Sequence, residues 1–359
     1  MEVSIMSNIV DYMTWRQDIT LKERPFNEVD NLVLSALSYY NFKDIIPSEG
    51  ITIADAWQKY KQLERKIEGL ILSIDNTLLS KMAESARFGS AILLDYQDVI
   101  NDKTQFAALH IILSDGSHYL AFRGTDDTLI GWKEDFILTY EITPAQKMAC
   151  EYLEKVIKKD QYYRVGGHSK GGNLAVYGTL NCPKEIQNRI TDIYCNDGPG
   201  LCFDIISKED YQNIQSKIHK FVPAFDVVGM LFDREENVTI IQSVQKGILQ
   251  HSLFSWEVAP TKIVRADHFE HESVVCQNIF QEWLDDMEME DRQKLVNELF
   301  DALFEKGYQT LSEAAEMGVD GFITLIRTIS DNSRDILRKL AKTGLSDLRK
   351  DLILKKESS

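Results

Sequence analysis

Apolar residues change their spacing twice along the chain. Over roughly residues 1 to 70 they recur at helical intervals. Leu32, Leu34, Leu37, Tyr39 and Tyr40 form a block after Pro25-Phe26-Asn27. Ala54, Trp57, Tyr60 and Leu63 follow Thr52, a residue suited to cap a helix. Thr77 to Phe88 repeats that pattern. Near Gln105 the texture becomes strand-like. Phe106 to Leu113 is a short apolar run, Asp115-Gly116 is a turn, and Tyr119 to Phe122 is a second run.

Further on, helical and strand patterns alternate. Trp132 to Leu138 and Pro144 to Lys158 read as helices, the second with proline in its first turn and lysines near its end. Tyr163 to Gly167, Ile190 to Cys195, Ile218 to Val222 and Val238 to Ile241 read as strands. Such alternation predicts an α/β fold, a mostly parallel sheet with helices on both faces. After about residue 275 the spacing is helical again. Its stripes are Val296/Leu299/Phe300/Leu303/Phe304, Phe322/Ile323/Leu325/Ile326/Ile329 and Ile336/Leu337/Leu340. The division expected is an N-terminal helical segment (1–75) packed on the core, an α/β core (76–280) and a C-terminal helical extension (281–359).

Charge and cysteine usage narrow the class. The formal charge of −16 argues against nucleic acid and anionic membranes as partners. Five cysteines, Cys150, Cys182, Cys195, Cys202 and Cys276, include no Cys-x-x-Cys pair, so free thiols are expected and neither a zinc site nor a disulfide framework. No basic segment leading into an apolar run opens the chain, and no apolar stretch is long enough to span a bilayer. The expected location is cytoplasmic.

One segment carries chemistry. Gly167-His168-Ser169-Lys170-Gly171 lies between a strand and a helix, the context of a nucleophile elbow. The tight turn lifts the serine oxygen above the sheet beside a helix N-terminus, where backbone amides can stabilise an oxyanion. A serine needs a base, and the base needs an orienting acid. Downstream histidines are His219, His251, His268 and His271, and the acids at strand ends are Asp197 and Asp226. Asp226 follows a strand into a loop, and His251 lies in a loop beyond the next strand. Asp197 competes for the acid, although Asp197-Gly198 also suits a plain turn. Thr125, after the strand ending Ala121-Phe122-Arg123-Gly124, can offer its N–H and its hydroxyl to an oxyanion.

These blocks match a known pattern. Phe122-Arg123-Gly124-Thr125 with Gly131-Trp132-Lys133-Glu134-Asp135 resembles the oxyanion block of class 3 lipases, and Gly167 to Gly172 resembles their elbow. The whole chain is more similar still to the Mbeg1-like family of bacterial α/β-hydrolase-related proteins. That likeness includes Asn8 to Tyr12, Pro25 to Asp30 and Gln250-His251-Ser252-Leu253-Phe254-Ser255-Trp256. The resemblance implies an α/β-hydrolase fold, a triad of Ser169, Asp226 and His251, and an oxyanion hole from Thr125 and the Lys170 amide. It implies hydrolysis of small-molecule or lipid carboxylic esters without metal or cofactor. Lys170 stands where the lipases carry leucine, which argues against a triglyceride. Its ammonium is expected to reach water. Asp135 and Arg123 are expected to brace the oxyanion loop.

Two rival classes remain at this level: an acyltransferase with the same triad, and a non-catalytic scaffold using its C-terminal helices. The apolar stripes of Gln281 to Leu354 are expected to pack on the core or on each other. A lid over the site and a homodimer contact are the alternatives.

Overall fold

The computed structural model describes residues 7–338, apart from 64, 66, 68–73, 139, 203–205, 227, 230–237, 286, 318–320 and 322–323. Eight strands form one sheet, neighbours in space in the order of the sequence. They are β1 (Ile51–Thr52), β2 (Ile92–Ile100), β3 (Gln105–Ile112), β4 (His118–Phe122), β5 (Tyr163–His168), β6 (Ile190–Asn196), β7 (Ile218–Pro223) and β8 (Thr239–Ile241). Pairing is antiparallel from β1 to β4 and parallel from β4 to β8.

The helices before the elbow are α1 (Ile9–Arg16), α2 (Glu28–Leu37), α3 (Ile53–Tyr60), α4 (Thr77–Glu84), α5 (Leu129–Ile137) and α6 (Pro144–Val156). Those after it are α7 (Lys170–Asn181), α8 (Lys184–Gln187), α9 (Lys208–Gln215), α10 (His271–Asp285), α11 (Met289–Glu305) and α12 (Leu311–Ala315).

Strand alternation feeds two cores. Along β3 and β4, Leu109, Ile111, Tyr119 and Ala121 enter one cluster, while Phe106, Ala108, Leu120 and Phe122 enter the other. Both faces are covered, so β3 reads as a continuous apolar run. Parallel strands laid down in sequential order, with right-handed crossovers, send every crossover helix to one face. Accordingly α6, α7 and α9 share one cluster. The opposite face is left for α1 and α2, which fill it with Ile9, Tyr12, Leu32, Val33 and Leu37.

The N-terminal blocks are therefore packing and capping devices. Asn8 and Asn27 each form a capping box, with Asp11 and Asp30. Tyr12 Oη donates to Asp30 Oδ1 at 2.7 Å, and the fully buried Arg87 pairs with the same carboxylate.

β2 escaped the sequence reading. Its alternation is broken by Asp95, Gln97 and Asp98, and a register shift lies between Leu94 and Gln97. In the C-terminal segment Val296, Phe300, Leu303, Leu325 and Ile329 cluster with Leu129 of α5. Leu129 N–H also donates to Gln309 O at 2.9 Å and Lys133 pairs with Asp301. These helices thus dock on α5. Phe322, Ile323 and everything from residue 339 onward lie outside the described residues. No described helix is long and apolar enough to cross a membrane.

Candidate active site

β5 runs into Ser169 and α7 leaves it. Ser169 has φ 56° and ψ −131°, a strained conformation for a residue with a side chain. Glycines make the turn possible. A Cβ on Gly167 would lie 2.4 Å from Gly171 C, and one on Gly171 would lie 2.2 Å from Phe122 O. Both obstacles are backbone, which cannot rotate away. Gly171→Ala is therefore expected to cost about 3 kcal/mol or more in urea unfolding. A loss under about 1 kcal/mol would show that the turn is looser than described.

The end of β4 closes on the elbow. A Cβ on Gly124 would lie 2.4 Å from His168 O and 3.1 Å from Ser169 Cβ. Arg123 anchors this segment to Asp98 of β2 at 2.8 Å. Thr125 Oγ1 donates to Asp135 Oδ2 at 2.7 Å. The hydroxyl is thus committed, and only the Thr125 N–H remains to offer an oxyanion. Burial pushes the Asp135 carboxyl up to about 6. The Lys170 N–H is the first of α7, so it has no acceptor within the helix.

Lys170 corrects the expectation of an ammonium in water. It is fully buried, and Nζ pairs with Glu134 Oε2 at 3.0 Å. Glu134 is a hub, because its carboxylate also accepts from Thr104 Oγ1, Gln105 N–H and Ala145 N–H. α5 brings a buried acid against the start of α7, and the lysine meets it there.

His251 ends a short 3₁₀ turn, Gly247–His251. Its ring lies 4.7 Å from the His168 ring, beside the elbow. His168 Nε2–H donates to His251 O at 2.7 Å, and Tyr39 Oη donates to His168 Nδ1 at 2.8 Å. This fixes the His168 tautomer, and burial drives its pKa far down, so it is a neutral strut. Gln250 accepts from Phe225 N–H and donates to Glu270, and buried Trp256 donates to Gln250 O. The Gln250 to Trp256 block is a frame around His251. The other histidines lie elsewhere. His219 pairs with Asp192 on the exposed side of β7, and His268 and His271 are exposed.

The carboxylate bonded to the His251 ring is Asp197, whereas the expected partner was Asp226. His251 Nδ1–H donates to Asp197 Oδ2 at 2.6 Å, and Asp226 makes no hydrogen bond to the ring. The reason is topological. β6 adjoins β5, whereas β7 lies one strand further from the serine. Asp197 is itself left-handed, with φ 52°. Asp44, Asp95, Ser169 and Asp197 are the described non-glycine residues at positive φ, and two of those four stand at this site. Burial holds His251 down to about 4 and pushes Asp197 up to about 7. The ring is therefore neutral at pH 7, with Nδ1 protonated and Nε2 bearing the lone pair.

The Mbeg1-like family model matches residues 82–301, well over half of the chain. The chain belongs to the Mbeg1-like family. No curated protein matches it. The match in this Mbeg1-like chain spans β4, the elbow, Asp197, Asp226 and His251, whereas the capping boxes of α1 and α2 precede it.

Sequence reasoning missed two supports of this Mbeg1-like site. His168 occupied a variable position of the elbow pattern, and its histidine identity was the available signal. Asn196, fully buried, donates to Ser35 Oγ and Gly167 O and thereby ties α2 to the end of β6. Its only sequence signal was an amide next to Asp197. Among the described residues no group of acids, histidines and cysteines is arranged to hold a metal ion.

Proposed function

We propose that the protein is a serine hydrolase of carboxylic esters on an α/β-hydrolase fold, with Ser169, His251 and Asp197 as its triad. The reading rests above all on one observation. A serine at a strained strand-to-helix turn follows His168, whose ring lies 4.7 Å from that of His251, a buried histidine held at Nδ1 by a buried carboxylate. Ser169 Oγ attacks the acyl carbonyl as its proton passes to His251 Nε2. The Thr125 and Lys170 amides receive the oxyanion. Collapse expels the alcohol, which takes the proton back from His251, and water repeats the sequence to free the acid. No hydrogen bond joins Ser169 Oγ to His251, and catalytic bonds of this kind often tighten only in the substrate complex.

In this reading the catalytic core spans 76–280, flanked by an N-terminal helical segment (1–75) and a C-terminal extension (281–359) whose α11 braces α5. The test is labelling by a fluorophosphonate, followed by a series of p-nitrophenyl esters of rising chain length. Labelling should map to Ser169 and vanish in Ser169→Ala, with the circular dichroism spectrum unchanged. Full labelling of the alanine variant would overturn the assignment.

A further inference from the structure

Two buried oxygens beneath His251 have no hydrogen-bond donor: Asp197 Oδ1 and Asp226 Oδ2. Both atoms crowd the same point, against Gly229. Two ionised carboxylates offer each other no donor, whereas one proton between them would supply it. The remaining oxygens show which acid would carry it. Asp197 Oδ2 accepts the His251 Nδ1–H at 2.6 Å, a bond that favours the ionised form. Among the described residues, the donor to Asp226 Oδ1 is the Gly229 N–H, at 2.7 Å. A Cβ on Gly229 would lie 2.4 Å from Asp197 Oδ1 and 3.0 Å from Asp226 Oδ2, so glycine there leaves room for these two atoms.

We propose that Asp226 is a protonated positioning residue, whose Oδ2–H donates to Asp197 Oδ1 and holds Asp197 as the single charged carboxylate under His251. One proton satisfies both orphaned oxygens. Its catalytic consequence rests on the hydrolase reading above.

The surroundings support this placement of charge. Asp226 faces Asp197 at the end of β6, Lys220 on β7 and His251. Lys220 is buried and donates to Gly229 O at 2.5 Å, beside the pair. Burial, and then the Asp197 charge, drive the Asp226 pKa well upward, whereas the bond from Asp226 opposes the rise at Asp197. The Asp226 backbone is clasped by α10: its N–H donates to Ser273 Oγ at 2.9 Å, and its carbonyl accepts from Ser273 Oγ at 2.7 Å and Gln277 Nε2 at 3.1 Å.

The experiment follows fluorophosphonate labelling rate against pH for wild type, Asp226→Asn and Asp226→Ala. A carboxamide can donate to Asp197 Oδ1 and accept from Gly229 N–H, and alanine can do neither. Asp226→Ala should label at least about tenfold more slowly at pH 7, and Asp226→Asn should recover most of that loss. Wild type should lose rate as alkali removes the shared proton, and Asp226→Asn should lack that decline. Equal slowing of both variants would make Asp226 a needed anion and overturn the proposal, as would an alanine variant as fast as wild type. Difference infrared spectra give a readout independent of activity: the wild type should show a protonated carboxyl stretch that Asp226→Asn lacks. Its absence overturns the proposal even if Asp226→Ala fails to fold. Its presence in a protein that never labels at Ser169 would refute the hydrolase reading and leave the shared proton standing.

Discussion

Replacing His251 with alanine is expected to slow ester turnover on the order of 10⁴- to 10⁶-fold, about as severely as removing the Ser169 hydroxyl, because triad members act as a unit. Asp197→Asn should cost about 10³- to 10⁴-fold, since a carboxamide can turn its NH₂ toward His251 Nδ1 and favour the wrong tautomer. The comparison that decides is kcat of Asp197→Asn against Asp226→Asn. If the Asp197 variant works nearly as wild type and the Asp226 variant is inert, the orienting acid is Asp226 and the 2.6 Å contact to Asp197 is incidental.

The pH profile follows from the same pair. His251, held down to about 4 by burial, is already neutral at pH 6, but Asp197, pushed up to about 7, is charged only above that value. Catalysis needs the ring neutral and the carboxylate ionised. kcat/KM should therefore climb as pH rises through about 7, as the macroscopic titration of a coupled unit. An acid limb near 4 instead would mean that the ring alone governs it.

What the sequence revealed and what it hid divide along contact distance. The elbow was legible because Gly167, Gly171 and the strand before them dictate a local turn. His251 was legible through a compact block, Gln250 to Trp256, whose members hydrogen-bond within themselves. The choice between Asp197 and Asp226 was not legible, because it depends on which strand lies beside β5. Strand order is a property of the assembled sheet, and both acids sit at strand ends. β2 was hidden by a bulge that interrupts the period-two pattern. The partner of Lys170 was hidden because Glu134 lies 36 residues away on another helix.

That partner sets the second large effect. Lys170→Met should destabilise the fold by about 3–5 kcal/mol, since it strands Glu134 as a buried charge. Glu134→Gln should cost a similar amount, leaving a buried ammonium and weakening the bonds from Thr104, Gln105 and Ala145. The double variant Lys170→Met/Glu134→Gln should recover much of either loss, because it removes both charges together. Urea unfolding of the four proteins measures the coupling. Single variants within about 0.5 kcal/mol of wild type would mean that the ammonium does reach water. The measurement also bears on substrate chemistry. A lysine that spends its charge on Glu134 has none left for an anionic group on the substrate. Its contribution to turnover would then be to hold the first turn of α7, and with it the amide offered to the oxyanion, in place.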